Sequence, residues 1–208
     1  MRTDLGVLFD LDSTLVDSSA AVRRSWLQLA DEAGFPPAAL RGLHGIPAAG
    51  CLRLVLPEAT DDEIVHWTDR IEQIEVATTE GVVAAPGAHE VLAALDARQV
   101  PWTIVTSCTA PLAEVRTRIA GIPLRATAVT FSDVLQGKPH PEPFLLGAQR
   151  IGVPAAGCWV VEDAHSGATA GKAAGCTVAA VLTTHTREQL PLADHFLEHL
   201  TDLLPLLD

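Results

Sequence analysis

The apolar run Leu5–Phe9 passes directly into Asp10-Leu11-Asp12-Ser13-Thr14, and no other feature narrows the possible folds as much. So short an apolar run reads as a buried strand. Two carboxylates one residue apart at its end are costly unless a cation or hydrogen-bond donors compensate them. Parallel α/β sheets place ligands at the carboxyl ends of their strands, so the pair stands where chemistry is expected. Two ordinary readings compete: a loop of solvated acids, or Asp12 as the cap of the next helix.

Four more short runs follow, Trp102–Thr106, Ala128–Phe131, Trp159–Val161 and Thr177–Leu182, each separated from the next by a helix-like segment. That alternation predicts an α/β fold with a Rossmann-like parallel sheet. Helices are expected over His89–Arg98, Pro111 to Ala120, Pro141 to Ile151, and Ser166–Ala174 with Gly175 as the stop. The first interval is anomalous: roughly 90 residues lie between the first two strands, where a simple crossover needs about 30. Within it, Ala20–Ala33 has helical spacing up to Gly34, and Thr60-Asp61-Asp62-Glu63 opens a helix with the stripe Ile64, Trp67, Ile71 and Ile74. Pro86-Gly87 marks the return. The expected division is therefore an α/β core domain, 1–16 and 84–208, with an inserted helical cap domain, 17–83. The hinges would fall near Leu15–Ser18 and Val82–Gly87.

With 208 residues and 48% hydrophobic content, the chain can bury a proper core. Its formal charge of −12 argues against nucleic acid or an anionic membrane as partner. An anionic small molecule stays compatible, because a metal and a few local cations can dominate one pocket. Cys51, Cys108, Cys158 and Cys176 are scattered without metal-ligand spacing, which suits small core residues in a reducing cytosol. No stretch approaches the ~20 apolar residues of a membrane span. The expectation is a soluble, cytoplasmic protein, a monomer or weak homodimer.

Three further signals fall at or just after strand ends. Thr106-Ser107 offers a hydroxyl and free backbone N–H groups suited to phosphate, although Ser and Thr are also ordinary helix caps. Gly137-Lys138-Pro139 holds one of only two lysines among fourteen basic residues. Its compact ammonium can neutralise a phosphate and an aspartate together, or it is a solvated loop lysine. Glu162-Asp163, ahead of His165-Ser166-Gly167, is a second acidic pair. Its hard oxygens suit Mg2+, unless it forms a solvated turn. Together they supply a nucleophile, an acid/base, a hydroxyl, a cation and a metal ligand, an inventory that fits phosphoryl transfer to or from a small phosphate ester.

On these motifs, in this order, the chain resembles the haloacid dehalogenase superfamily, in the subgroup with a small helical cap after the first strand. The likeness runs through Asp10–Thr14, Thr106, Lys138 and the Glu-Asp-x-x-x-Gly step Glu162–Gly167. Within the superfamily it is most similar to sugar- and polyol-phosphate phosphatases of the 2-deoxyglucose-6-phosphate and glycerol-phosphate kind. That finer likeness rests on His44-Gly45, Glu72 and Glu75, Trp102 ahead of Val105-Thr106-Ser107, the run Gly171–Gly175, and Thr183-Thr184-His185. His44 and the glutamates read equally well as a solvated face. Ser13 stands where relatives most often have glycine, and Ile46 where they often carry a basic side chain.

The resemblance implies an Mg2+-dependent hydrolysis through an aspartyl phosphate. Asp10 would be nucleophile and Asp12 acid/base, with Thr106 and Lys138 completing the catalytic set. Asp10, the Asp12 carbonyl and Asp163 would hold the metal, with Glu162 behind them. Ser107, His44, Gly45 and Glu72 would meet the substrate. A β-phosphoglucomutase-like phosphomutase is the alternative. It would be expected to carry a basic cap residue about ten positions after Asp12, where Ala21-Val22 stand beside Arg23 and Arg24. A non-enzymatic phosphoacceptor domain needs neither Asp12 nor the insertion. A dehalogenase has no use for Asp12 or for Glu162-Asp163.

Overall fold

The computed structural model describes residues 4–42 and 46–208. The chain divides into two compact units, Met1–Asp17 with Val83–Asp208, and Ser18–Val82.

In the first unit, strand β1 (Gly6–Phe9) is followed by the short β2 (Val16–Asp17). The second unit holds helices α1 (Ser19–Ala33), α2 (Ala48–Val55) and α3 (Asp61–Ala77). After it come β3 (Val83–Ala84), α4 (Ala88–Ala97), β4 (Trp102–Ile104), α5 (Ala110–Ala120), α6 (Glu142–Ile151), β5 (Cys158–Glu162), α7 (His165–Ala173), β6 (Thr177–Val181) and β7 (His195–Leu197). Five of the strands form one parallel sheet in the order β4-β1-β5-β6-β7, the α/β arrangement that the alternating pattern implies. β2 and β3 pair antiparallel in a separate ribbon, Val16 against Ala84, so the outgoing and returning chain run side by side.

Burial explains why the short runs become strands. Val7, Leu8 and Phe9 are fully buried, as are Val160 and Val161 beside them, so the central strands lie inside the unit. Leu8, Val105, Val129, Phe144, Val160 and Val178 belong to one apolar cluster. The stretch Ala128–Phe131 departs from expectation. Only Val129 pairs, through an isolated bridge to Val105. Asp133 then accepts from the Thr130 N–H and hydroxyl, turning the chain into a 3-10 helix at Phe131–Asp133. The edge strand β7 has no counterpart in the sequence reading, because three residues are too few to show a period.

The helical unit packs Leu29, Phe35, Leu52, Ile64, Ile71 and Ile74 together, with Trp67 against them. α1 stops at left-handed Gly34, whose N–H returns to the Ala30 carbonyl. α3 begins with the capping box its sequence announces: Thr60 Oγ1 accepts from the Glu63 N–H at 3.3 Å, and Glu63 Oε2 accepts from the Thr60 N–H at 2.8 Å.

Candidate active site

Strand register brings the two acidic segments together. The Asp10 N–H donates to the Val161 carbonyl at 2.9 Å, carrying the β1–β5 pairing one step past Phe9. Asp10 thereby lies beside Glu162 and Asp163, and carboxylate oxygens of all three lie within 4.8 Å of one another. Lys138 enters from the loop before α6. Its ammonium donates to Asp10 Oδ1 at 2.6 Å, Glu162 Oε1 at 2.7 Å and the Val105 carbonyl at 2.9 Å. None of these four side chains belongs to a solvated loop, since Asp10, Lys138, Glu162 and Asp163 are all buried.

Glu162 is held from its other side as well. Its Oε2 accepts from the Asp163 and Ala164 N–H groups, both at 3.0 Å. Gly167 makes room for it: a Cβ there would lie 1.7 Å from Glu162 Oε1. The Glu-Asp-x-x-x-Gly spacing thus has a steric cause, because only glycine lets α7 pass that close to the carboxylate.

Two buried carboxyl groups flank the Lys138 ammonium and a third, Asp163, lies beside them; fully ionised, the three would carry two negative charges more than the ammonium offsets. Burial, reinforced by the Glu162 charge, pushes Asp163 up to about 7. Burial likewise pushes Asp10 well above the usual carboxylate range despite Lys138. Burial works against the Lys138 ammonium, but Asp10 and Glu162 outweigh it and hold the group above the ordinary lysine range. Clustered hard oxygens with this charge excess fit a divalent cation such as Mg2+. Glu162 already spends both oxygens on Lys138 and backbone donors, which leaves Asp10 and Asp163 as the better ligands.

Asp12 does not cap the next helix, whose N-cap is Ser18. Instead Asp12 Oδ2 accepts from Arg116 Nη1 on α5 and from Cys108 Sγ, and Arg116 also reaches Cys108 at 3.1 Å. Arg116 is buried and absent from the sequence-derived site. The available signal was its position on the face of α5 formed by Leu112, Ala113, Thr117 and Ala120, where a buried arginine demands an anionic partner. Thr106 does not cap α5 either. Its Oγ1 accepts from the Cys108 N–H at 3.0 Å, inside the loop after β4. Ser107 between them is exposed.

Glu72 and Glu75 lie half-buried on α3, in the helical unit. His44 and Gly45 lie outside the described residues.

A strand end carrying a buried carboxylate, an ammonium bridging two acidic loops and an inserted helical unit define an architecture that known proteins share. Residues 5–175 match the haloacid dehalogenase-like hydrolase family, and the chain belongs to it. It is 42% identical over 200 residues to hexitol phosphatase A of Escherichia coli, covering 94% of this chain and 93% of that one. Glycerol-1-phosphate phosphohydrolase 2 of Saccharomyces cerevisiae is 32% identical over 187 residues, covering 85% and 74%. Among solved structures, the fold is shared with a β-phosphoglucomutase from Clostridium difficile at a TM-score of 0.81 and 21% identity, covering 96% and 93%. Among the described residues, no helix is long and apolar enough to cross a membrane.

Proposed function

We propose that the chain is an Mg2+-dependent phosphatase of small sugar or polyol phosphates that works through an aspartyl phosphate on Asp10. The observation that carries the reading is the buried cluster in which Lys138 joins Asp10 to Glu162 beside Asp163. The sugar and polyol preference is supported by the hexitol and glycerol phosphatases among its relatives.

In this reading an Asp10 oxygen attacks phosphorus and the bond from phosphorus to the substrate oxygen breaks. Asp12 gives that oxygen a proton. Asp12 then takes a proton from water as the water attacks the phosphorus of the aspartyl phosphate, releasing inorganic phosphate and restoring Asp10. Arg116 and Cys108 hold Asp12 in place through its Oδ2. Thr106 and the backbone at Ser107 hold phosphoryl oxygens, and Lys138 offsets charge between Asp10 and the transferring group. Asp10, the Asp12 carbonyl and Asp163 would hold Mg2+, which supplies compensation for phosphoryl charge when bound. His44, Gly45 and Glu72 are the residues to which this reading gives the choice of substrate. Four free cysteines, all buried, support a reducing cytoplasmic setting.

Phosphate release from a panel of hexitol, sugar and glycerol phosphates, with Mg2+ and with chelator, tests the reading. Release is expected only with Mg2+, and Asp10→Asn is expected to lower it by more than about 1000-fold. An Asp10→Asn protein with near-parental turnover would remove Asp10 as nucleophile. Isomerised sugar phosphate in place of free phosphate would move the assignment to a mutase.

A further inference from the structure

Thr183-Thr184-His185 follows β6, and neither the catalytic inventory nor the metal-ligand set gives it a task. In the structure each threonine hydroxyl is committed to one of the two acidic loops. Thr183 Oγ1 donates to the Ser13 carbonyl at 2.7 Å, within the loop that carries Asp12. Thr184 Oγ1 meets Asp163 Oδ2, lies 3.2 Å from the Asp163 carbonyl, and is 2.8 Å from His185 Nδ1.

Thr184 is the donor in both contacts with Asp163. A threonine hydroxyl has one proton, so the His185 tautomer that completes the chain is the one whose Nδ1–H donates to Thr184. A ring N–H, a hydroxyl and a carboxylate form an ordered relay that ends on the carboxylate expected to bind the cation.

We propose that Thr184, itself held by His185, is a positioning residue that fixes the rotamer of Asp163 for cation binding, while Thr183 holds the facing loop at Ser13. This rests on the reading of Asp163 as a metal ligand. Hydrogen bonds behind a ligating carboxylate set its orientation, and their loss typically weakens metal binding by about 10–100-fold. Ser13 sits at a left-handed φ of 62°, so its carbonyl direction is set by an unusual backbone geometry that the Thr183 bond fastens.

The test is Mg2+ titration by calorimetry, with melting temperature measured in chelator and in Mg2+, on the full-length protein. Thr184→Val keeps the side-chain shape and removes the donor. It is expected to weaken Mg2+ binding about 10-fold or more while the melting temperature in chelator stays at the parental value. Thr184→Ser restores the hydroxyl and is expected to bind within about 3-fold of the parent, while His185→Ala falls between the two variants. Turnover at saturating Mg2+ is expected to change far less than the Mg2+ requirement. Asp163→Asn separates the two ideas. If it abolishes binding and Thr184→Val binds like the parent, the role of Thr184 is overturned and the metal site stands. If the parent binds no Mg2+, or Asp163→Asn binds like the parent, the metal-ligand reading fails and takes the proposal with it.

Discussion

In the helical unit Arg53 meets Asp61 with 56% and 87% of their side chains exposed, and Arg70 reaches Glu32 with both about one-third exposed. In the α/β unit Lys138 meets Asp10 and Glu162 with only 4%, 11% and 2% of the side chains exposed. Pairs of the first kind contribute about 0–1 kcal/mol and are screened by salt. A group of the second kind is held at a desolvation cost that apolar packing would avoid. Stability alone therefore gives no reason to keep three carboxylates around one ammonium, whereas the proposed nucleophile beside the proposed cation site would. The difference separates the exposed ion pairs of the helical unit from a buried charge cluster that only the α/β unit shows among the described residues.

The largest expected effect comes from removing the ammonium. Lys138→Met leaves Asp10 and Glu162 buried without their shared donor, and breaking a buried pair typically costs about 3–5 kcal/mol. For a chain of this size that corresponds to a fall in melting temperature of about 10 °C. Phosphate release should be lost with it. Calorimetry in chelator measures the effect on the bare site. A melting temperature within about 2 °C of the parent would mean that the cluster is solvated after all, and the contrast between the units would collapse.

Lys138 was legible before any coordinates because one of two lysines sits in Gly-Lys-Pro, where the alternative was a solvated loop. Asp10, Glu162 and Asp163 were legible for a related reason: acids that terminate short apolar runs must have compensation. What the sequence could not show is which groups provide it. Glu162 is engaged by Lys138 and two backbone N–H groups, a division of labour set by the turn into α7. Gly167 was visible only as a spacing, and its cause is the carboxylate that its missing Cβ would strike. Arg116 was hidden among twelve arginines, since only the fold brings α5 against the loop of Asp12. The bridge at Val129 and the strand β7 were misjudged or missed for one reason. Pairing of one to three residues depends on neighbours rather than on a local period.

A second, smaller effect sharpens the comparison through pH. Asp163 is pushed up to about 7 by burial and by Glu162, and Asp10 is raised in the same direction by burial. Both hold a proton more tightly folded than unfolded. The stability Asp163 contributes is fully present below about pH 4 and is lost as pH rises through about 7, and Asp10 acts in the same direction. Asp133 acts oppositely: its hydrogen bond from Arg150 lowers it to about 2, so its contribution is lost only as pH falls toward that value. In chelator, melting temperature should therefore fall between about pH 5 and about pH 8, and Asp163→Asn should flatten the slope. With Mg2+ the fall should diminish or reverse, because the cation takes the place of the proton. A parental profile that is flat in chelator would contradict the burial that distinguishes the α/β site.

The smallest expected effect lies in the helical unit and tests the comparison from its other side. Thr60 caps α3 by accepting from the Glu63 N–H, while Glu63 closes the box on the Thr60 N–H. Thr60→Ala removes the side-chain half of that exchange at an exposed helix start and should cost about 1 kcal/mol. The loss is local to the first turn of α3, where amide hydrogen exchange should speed up by roughly 5-fold, the factor that 1 kcal/mol represents. Mg2+ affinity should stay at the parental value, because the proposed cation ligands belong to the other unit. A Thr60→Ala protein with weakened Mg2+ binding would tie the surface charges of the helical unit to the buried ones, and the separation drawn between the two units would be wrong.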